Sequence, residues 1–142
     1  MPSYYDPKKT CRVGMMDESQ FYEECSKETG LYFRALIAAW SNAGGVLKWG
    51  AGGVGLRGEV DGKDVSVCFL APQFAAKQDR IELACTTLTK QIGPARTAAL
   101  ENTLRVAAGE LVLGKTMISI VQPGTLPAAN QTALSRAFLD LL

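Results

Sequence analysis

The sequence predicts an α+β protein in which helices pack on one face of an antiparallel or mixed sheet of four or five strands. Three observations predict this class. Apolar residues recur with a helical period towards both ends of the chain, turn residues separate alternating apolar residues in its middle, and a β-branched run follows residue 115. A length of 142 residues fits a single domain over residues 1–142.

Composition limits the partners that this chain can have. Fifteen basic and fourteen acidic residues give a net charge of +1, without the basic surplus of nucleic-acid-binding domains, so nucleic acid is not expected as a partner. No apolar run approaches the ~18 residues that cross a bilayer. Residues 1–16 are polar and lack the apolar segment of a secretory signal, and a cytoplasmic protein without membrane contact is therefore expected.

The chain contains no histidine, which excludes a Ser-His-Asp triad, a Cys-His pair and imidazole metal ligands. Its four cysteines are Cys11, Cys25, Cys68 and Cys85. They are widely spaced and form no Cys-x-x-Cys pair, so neither a zinc site nor a redox motif is expected. These features predict no metal, no cofactor and no catalytic residues, and they favour a protein that is not an enzyme.

The first helix is expected over residues 18–42, after an irregular arm at residues 1–16. Asp17 fits an N-cap with Gln20 as its capping-box partner. The helical period then appears in Phe21, Cys25, Tyr32, Leu36 and Trp40. Gly30 is expected to break or kink this helix, and Gly44 to end it.

The middle of the chain predicts a three-strand meander over about residues 45–49, 53–60 and 63–70. Asp61-Gly62 suits a type I′ hairpin turn because both positions accept a positive φ angle. The expected pairs are Leu47 with Leu56, Trp49 with Val54, Val54 with Phe69, Leu56 with Val67, Gly58 with Val65, and Val60 with Lys63. This register places the apolar residues on one core face: Leu47, Trp49, Val54, Leu56, Val65, Val67 and Phe69.

The segments after Pro72 predict further helices and one strand. Residues 78–92 fit both a helix and a strand, and a helix is preferred. Gly93-Pro94 starts a second helix, whose apolar stripe is Leu100, Leu104, Ala107 and Leu111. Residues 115–122 predict a buried strand. Pro127 opens the last helix, whose stripe is Leu134, Ala137, Phe138 and Leu141.

Residues 50–55, Gly-Ala-Gly-Gly-Val-Gly, match the dinucleotide-binding pattern G-x-G-x-x-G. That site needs a helix directly after the glycines, because the helix N-terminus holds the pyrophosphate. Here a strand pattern and the Asp61-Gly62 turn follow. A glycine-rich turn is therefore the better interpretation.

The polar face of the meander carries the candidate binding residues. The expected register puts Lys48, Gly55 and Cys68 in one cross-strand row, with Arg57 and Ser66 in the next. Gly55 leaves a dent, beside which two cations, a hydroxyl and a thiol could hold a small anion or a carboxylate ligand. The alternatives are a solvated face and a face covered by a helix or by another subunit.

Residues 31–70, from the first helix through Leu47-Lys48-Trp49-Gly50 and Gly55-Leu56-Arg57 to the strand that ends at Leu70, resemble small bacterial domains of the YdhG type. Those domains resemble the frataxin fold. The resemblance implies a sheet packed against helices, and it transfers no catalytic residue to this chain.

The expected function is that of a non-enzymatic binding or regulatory module, which acts through the polar sheet face or through a subunit interface. A homodimer or a protein partner is expected because the edge strands of a small sheet need covering. The first alternative is a binder of small anionic ligands, or a histidine-free enzyme, centred on Lys48, Arg57, Ser66 and Cys68. The second is a nucleic-acid accessory protein that uses a basic-aromatic arm: Tyr4, Tyr5, Lys8, Lys9 and Arg12.

Overall fold

The computed structural model describes residues 16–72 and 78–142, and within these ranges the chain forms five α-helices and one six-stranded antiparallel sheet. The helices are α1 (Glu18–Glu24), α2 (Lys27–Asn42), α3 (Cys85–Ile92), α4 (Pro94–Ala108) and α5 (Ala128–Leu139), with a 3₁₀ turn at Pro123–Thr125. The strands are β1 (Val46–Gly50), β2 (Gly53–Val60), β3 (Lys63–Ala71), β4 (Arg80–Ala84), β5 (Val112–Leu113) and β6 (Met117–Val121). The α+β class is confirmed, and the expected arm lies outside the described residues except for Met16.

The sheet has the strand order β1-β2-β3-β4-β6-β5. It is larger than the four or five strands expected, because β4 and the two-residue β5 extend the meander and β6. Residues 78–92, for which a helix was preferred, contain both elements: a strand through Ile81 and Leu83, and then helix α3 from Cys85. The local preference for a helix over the whole segment is therefore wrong for its first half.

The long first helix is interrupted at Cys25 and Ser26, and not at Gly30. The Asp17 side chain accepts a hydrogen bond from the Gln20 amide at 2.8 Å, which confirms the expected N-cap of α1. Gly30 lies inside α2, and a Cβ atom added there would lie 3.2 Å from the Cβ of Cys25. Gly30 thus lets the end of α1 approach α2 closely, which is a packing role and not a break.

The Asp61-Gly62 turn joins β2 to β3 with φ angles of 53° and 80°, as a type I′ turn requires. An ion pair between Arg96 of α4 and Asp61 ties this turn to the helices. Helix α4 begins at Pro94, α5 begins directly after Pro127, and Gly44 follows the end of α2 with a φ of 94°. These boundaries confirm the corresponding sequence predictions.

The helices and one face of the sheet share a single hydrophobic cluster. The sheet contributes Val54, Leu56, Val60, Val65, Val67, Leu70, Ile81, Leu83 and Ile120 to it. Its helical side chains include Phe21, Tyr32, Phe33, Leu36, Trp40, Leu88, Leu104, Leu134 and Phe138. This arrangement confirms that the helices pack on one face, and it leaves the other face of the sheet to the polar residues.

Candidate functional site

Opposite the core, the sheet presents a surface that we call the open face. Its side chains are exposed or half-buried: Val46, Lys48, Arg57, Ser66, Phe69, Glu82 and Met117. Strand pairing aligns Lys48 with Gly55, Gly55 with Phe69, and Phe69 with Glu82, so these residues form one row across four strands. The open face therefore combines charged residues with an aromatic ring at its centre.

A β-bulge changes the register that the sequence predicts for β2 and β3. Arg57 pairs with Ser66 as expected, but Leu56 then pairs with Cys68, and the register shifts by one residue between them. An extra residue on one strand of a pair has this effect, because Val67 and Cys68 both turn inwards. The expected pairs of Leu56 with Val67, Val54 with Phe69, and Gly55 with Cys68 are therefore wrong.

The bulge takes Cys68 out of the cross-strand row in which it was expected, and Phe69 takes its place opposite Gly55. Cys68 is buried in the core, where desolvation raises the pKa of its thiol well above the usual range. A thiol in that position is a core residue and not an accessible nucleophile. Phe69, which was expected in the core, lies instead on the open face opposite Glu82.

The Phe69 ring fills the dent that Gly55 was expected to leave. A Cβ atom added at Gly55 would lie 3.9 Å from Cδ1 of Phe69, and one added at Gly53 would lie 3.2 Å from its Cε2. The ring thus lies over two glycines of β2, where it replaces the side chains that they lack. The glycines that matched the dinucleotide pattern serve a turn and this aromatic packing, and a strand follows them as predicted.

The charged residues of the open face are partly paired. Arg57 Nη2 lies 2.8 Å from Asp64 Oδ2, and Arg80 Nε lies 2.7 Å from Glu82 Oε2. Lys48 is exposed and forms no ion pair with any residue in the described ranges. Lys48 and Arg57 do share the open face, but Asp64 already neutralises Arg57. Lys48 and Arg57 together therefore attract an anion less strongly than two free cations would.

A cavity of about 240 Å³ opens on this face between β3, β4 and the start of α3. Among the residues that line it are Ser66, Phe69, Glu82, Thr87 and Met117. Ser66 and Cys68 are the two predicted site residues that border it, whereas Lys48, Gly55 and Arg57 do not. The sequence did not indicate this cavity, because it depends on β4 lying beside β3.

A second polar group, which sequence reasoning missed, is buried at the start of α2. Oδ2 of the buried Asp79 accepts hydrogen bonds from the Ser26 amide at 2.6 Å and from the Ser26 hydroxyl at 2.7 Å. Gln122 Oε1 accepts from Thr29 Oγ1 at 3.0 Å, and it lies 3.2 Å from Ser26 Oγ, whose single proton goes to Asp79. This network caps α2 and joins it to the segments around Asp79 and Gln122, which is a structural role.

Cys25 and Cys85, the other two cysteines in the described ranges, are not activated either. Burial, with the nearby Asp79 charge, raises the pKa of Cys25 to about 12, and burial with Glu101 raises that of Cys85. All three cysteines of the described ranges are free thiols. Within residues 16–72 and 78–142, no cluster of acidic and cysteine side chains could hold a metal ion.

Together, the fold and the site define a class: a small α+β protein whose antiparallel sheet is covered by helices on one side and presents a mixed polar and aromatic surface on the other. No family model, no curated protein and no solved structure matches the chain. The resemblance to YdhG-type domains thus stays a prediction. No helix in the described part of the chain combines the length and the apolar character that crossing a bilayer requires.

Proposed function

We propose that this protein is a non-enzymatic binding module whose open face docks on a protein partner. The composition of this face carries the proposal. Protein interfaces are enriched in aromatic residues, Met and Arg, and the open face holds Phe69, Met117 and Arg57 around one surface. Val46 and Met117 add apolar side chains that are 57% and 39% exposed.

A protein partner is better supported than a small anion. The expected anion site depended on a dent at Gly55 and a thiol at Cys68, but the ring of Phe69 lies over Gly55 and the core buries Cys68. The charges on the face are mixed, since Asp64 and Glu82 lie beside Arg57 and Arg80. A face of mixed charge around an apolar centre suits another protein surface, where register and specificity come from paired charges.

We place this module in the cytoplasm, because its described cysteines are unpaired thiols, as is usual in a reducing compartment. The nucleic-acid alternative depends on residues 1–16, which lie almost entirely outside the described residues. A separate experiment tests this alternative: if it holds, the affinity for nucleic acid falls steeply with salt and disappears when these residues are removed.

Affinity capture with the full chain, followed by binding measurements on the purified pair, tests the proposal. Met117→Glu places a charge in the open face and should weaken the complex at least roughly tenfold, as expected for a residue near an interface centre. Val106→Glu is the matched control, because Val106 is 76% exposed on α4, a helix of the layer that covers the core face. A complex that tolerates Met117→Glu but is disrupted by Val106→Glu would contradict the proposal.

A further inference from the structure

The residues that line the cavity beside Glu82 favour one class of ligand. One carboxylate, that of Glu82, lines it, and no lysine or arginine does so. Phe69 pairs with Glu82 across β3 and β4, and both residues line the cavity. Met117 and Ala84, which pair across β4 and β6, add apolar surface to the same cavity.

A carboxylate beside an aromatic ring and a thioether suits an alkylammonium group. The ammonium can donate hydrogen bonds to the carboxylate, and the Phe69 ring adds apolar surface to the same cavity. The methylene groups behind the charge can pack against Met117 and Ala84. Arg80 offsets part of the Glu82 charge, but Arg80 does not line the cavity, so a carboxylate is the one charged group that a ligand there meets.

The position of Glu82 leaves its carboxylate able to take a second cation. Arg80 Nε lies 2.7 Å from Oε2, and a carboxylate has about four lone-pair sites on its two oxygens, so one ion pair does not use all of them. The Glu82 side chain is only 18% exposed, so an added charge pair would be partly shielded from water. Partial shielding strengthens the attraction beyond that of a surface ion pair.

We propose that the cavity receives a lysine side chain of the protein partner, which Glu82 holds by its ammonium group and Phe69 and Met117 hold by its alkyl stem. This inference rests on the proposed function, because the cavity lies within the open face. The volume of about 240 Å³ suits one side chain better than a whole cofactor.

The full chain with ¹³C-labelled methionine methyl groups gives a direct test, since Met117 reports from the cavity wall. Titration with n-butylammonium chloride should shift the Met117 signal saturably. Butyrate, with the opposite charge, and 1-butanol, without charge, should act roughly tenfold more weakly or not at all, as expected from loss of a charged hydrogen bond. Equal shifts by 1-butanol and n-butylammonium would overturn the inference.

Two variants and a control separate the roles of charge and volume. Glu82→Gln removes the charge, and Ala84→Leu fills the cavity while keeping the charge; each should abolish the n-butylammonium response. Glu59→Gln, on an exposed residue near the hairpin turn, should leave it intact. Retention of the response in both cavity variants would contradict a site at this position, and methyl spectra of each variant report whether its fold is preserved.

The same variants distinguish this inference from the proposed function. If the inference holds, Glu82→Gln also weakens the partner complex roughly tenfold, whereas Glu59→Gln does not. If Met117→Glu disrupts the complex but Glu82→Gln leaves it unchanged, the proposed function stands and the lysine pocket is overturned. If n-butylammonium binds but no open-face variant affects the complex, the occupant is a free amine, and the partner-lysine assignment is wrong.

Discussion

Asp79 controls the start of a helix that is distant from it in sequence. Its carboxylate accepts hydrogen bonds from both the amide and the hydroxyl of Ser26, at 2.6 and 2.7 Å. Ser26, the N-cap residue of α2, makes no capping bond with its own side chain. Asp79 instead accepts from the Ser26 amide, the contact that the N3 side chain makes in a capping box. The helix therefore begins where the β3–β4 connection places a carboxylate.

A substitution at Asp79 tests its role at the start of α2. Asp79→Asn should lower the free energy of unfolding by about 1.5–3 kcal/mol, because the partly buried amide and hydroxyl of Ser26 lose a charged acceptor, and the Asn side chain has one acceptor oxygen fewer. Asp17→Asn is the matched control: Asp17 caps α1 from an exposed position, and Asn is nearly as good an N-cap, so its cost should stay within about 0.5 kcal/mol. Urea denaturation measures both. Equal costs for the two variants would contradict the assigned role of Asp79.

The free energy of unfolding should also depend on pH, because of two thiols. Burial raises the pKa of Cys68 and raises that of Cys25 to about 12, whereas thiols in an unfolded chain have a pKa of about 8.5. Above that pH the unfolded chain loses protons that the folded protein retains, so the free energy of unfolding falls as pH rises. Each fully protected thiol contributes a slope of up to about 1.4 kcal/mol per pH unit.

Denaturation between pH 7.5 and pH 10 tests this slope, with solution conditions on both sides of the thiol pKa of about 8.5. Cys68→Ala lowers stability at every pH because it leaves a cavity, but its loss of stability with rising pH should be shallower than in the wild type. Parallel profiles for the two proteins would show that the Cys68 thiol titrates alike in both states, against the prediction.

At the scale of elements, two glycines of β2 have different structural roles. Gly53 has a φ of 150°, and a Cβ atom added there would collide with the carbonyl oxygen of Leu70 on β3. At Gly55 the nearest atoms to an added Cβ are 3.7–4.0 Å away, which is ordinary van der Waals contact. The backbone therefore requires glycine at the first position and tolerates a methyl group at the second.

Alanine substitutions provide the test of this difference. Gly53→Ala should cost at least about 2 kcal/mol, because backbone strain and overpacking add. Gly55→Ala should change the free energy of unfolding by no more than about 0.5 kcal/mol, as substitutions without a clash usually do. Chemical denaturation of both variants measures these changes in the free energy of unfolding. A Gly55→Ala cost as large as that of Gly53→Ala would mean that Phe69 does not lie as described.

Some features of these elements can be predicted from sequence patterns, and others cannot. The Asp61-Gly62 turn and the β1–β2 pairs were predictable because turn chemistry and alternation agree. The bulge was not, since the run Val67-Cys68-Phe69-Leu70 is apolar throughout and hides the point where alternation skips a residue. The break at Ser26 was missed for another reason: it depends on Asp79, a long-range partner that local periodicity cannot reveal.

The structure places some residues of the predicted site on the open face and one of them in the core. Lys48, Arg57 and Ser66 lie on the open face, because the register near the hairpin turn was right. Because of the bulge, Cys68 faces the core and Phe69 lies on the open face. Glu82 and Met117 could not be assigned to it from sequence, because their position depends on the pairing of β4 with β3 and β6.

At the scale of the whole molecule, one layer of helices covers one side of a six-stranded sheet. A sheet built this way can leave its second face to solvent or to a partner, and antiparallel sheets commonly do so. Here that face holds apolar side chains among ion pairs, and a cavity opens within it. The architecture thus concentrates the surface available for recognition on the side away from the core.

A protein partner can dock on the open face only if solvent reaches it, and relaxation enhancement by a soluble paramagnetic probe measures this accessibility in the full chain. The methyl groups of Met117 and Val46 should be strongly broadened, because these side chains are 39% and 57% exposed. The methyl groups of Ile120 and Val65, on the core side of the same sheet, should be protected because both residues are buried. A Met117 methyl group that is as well protected as that of Ile120 would contradict an open face.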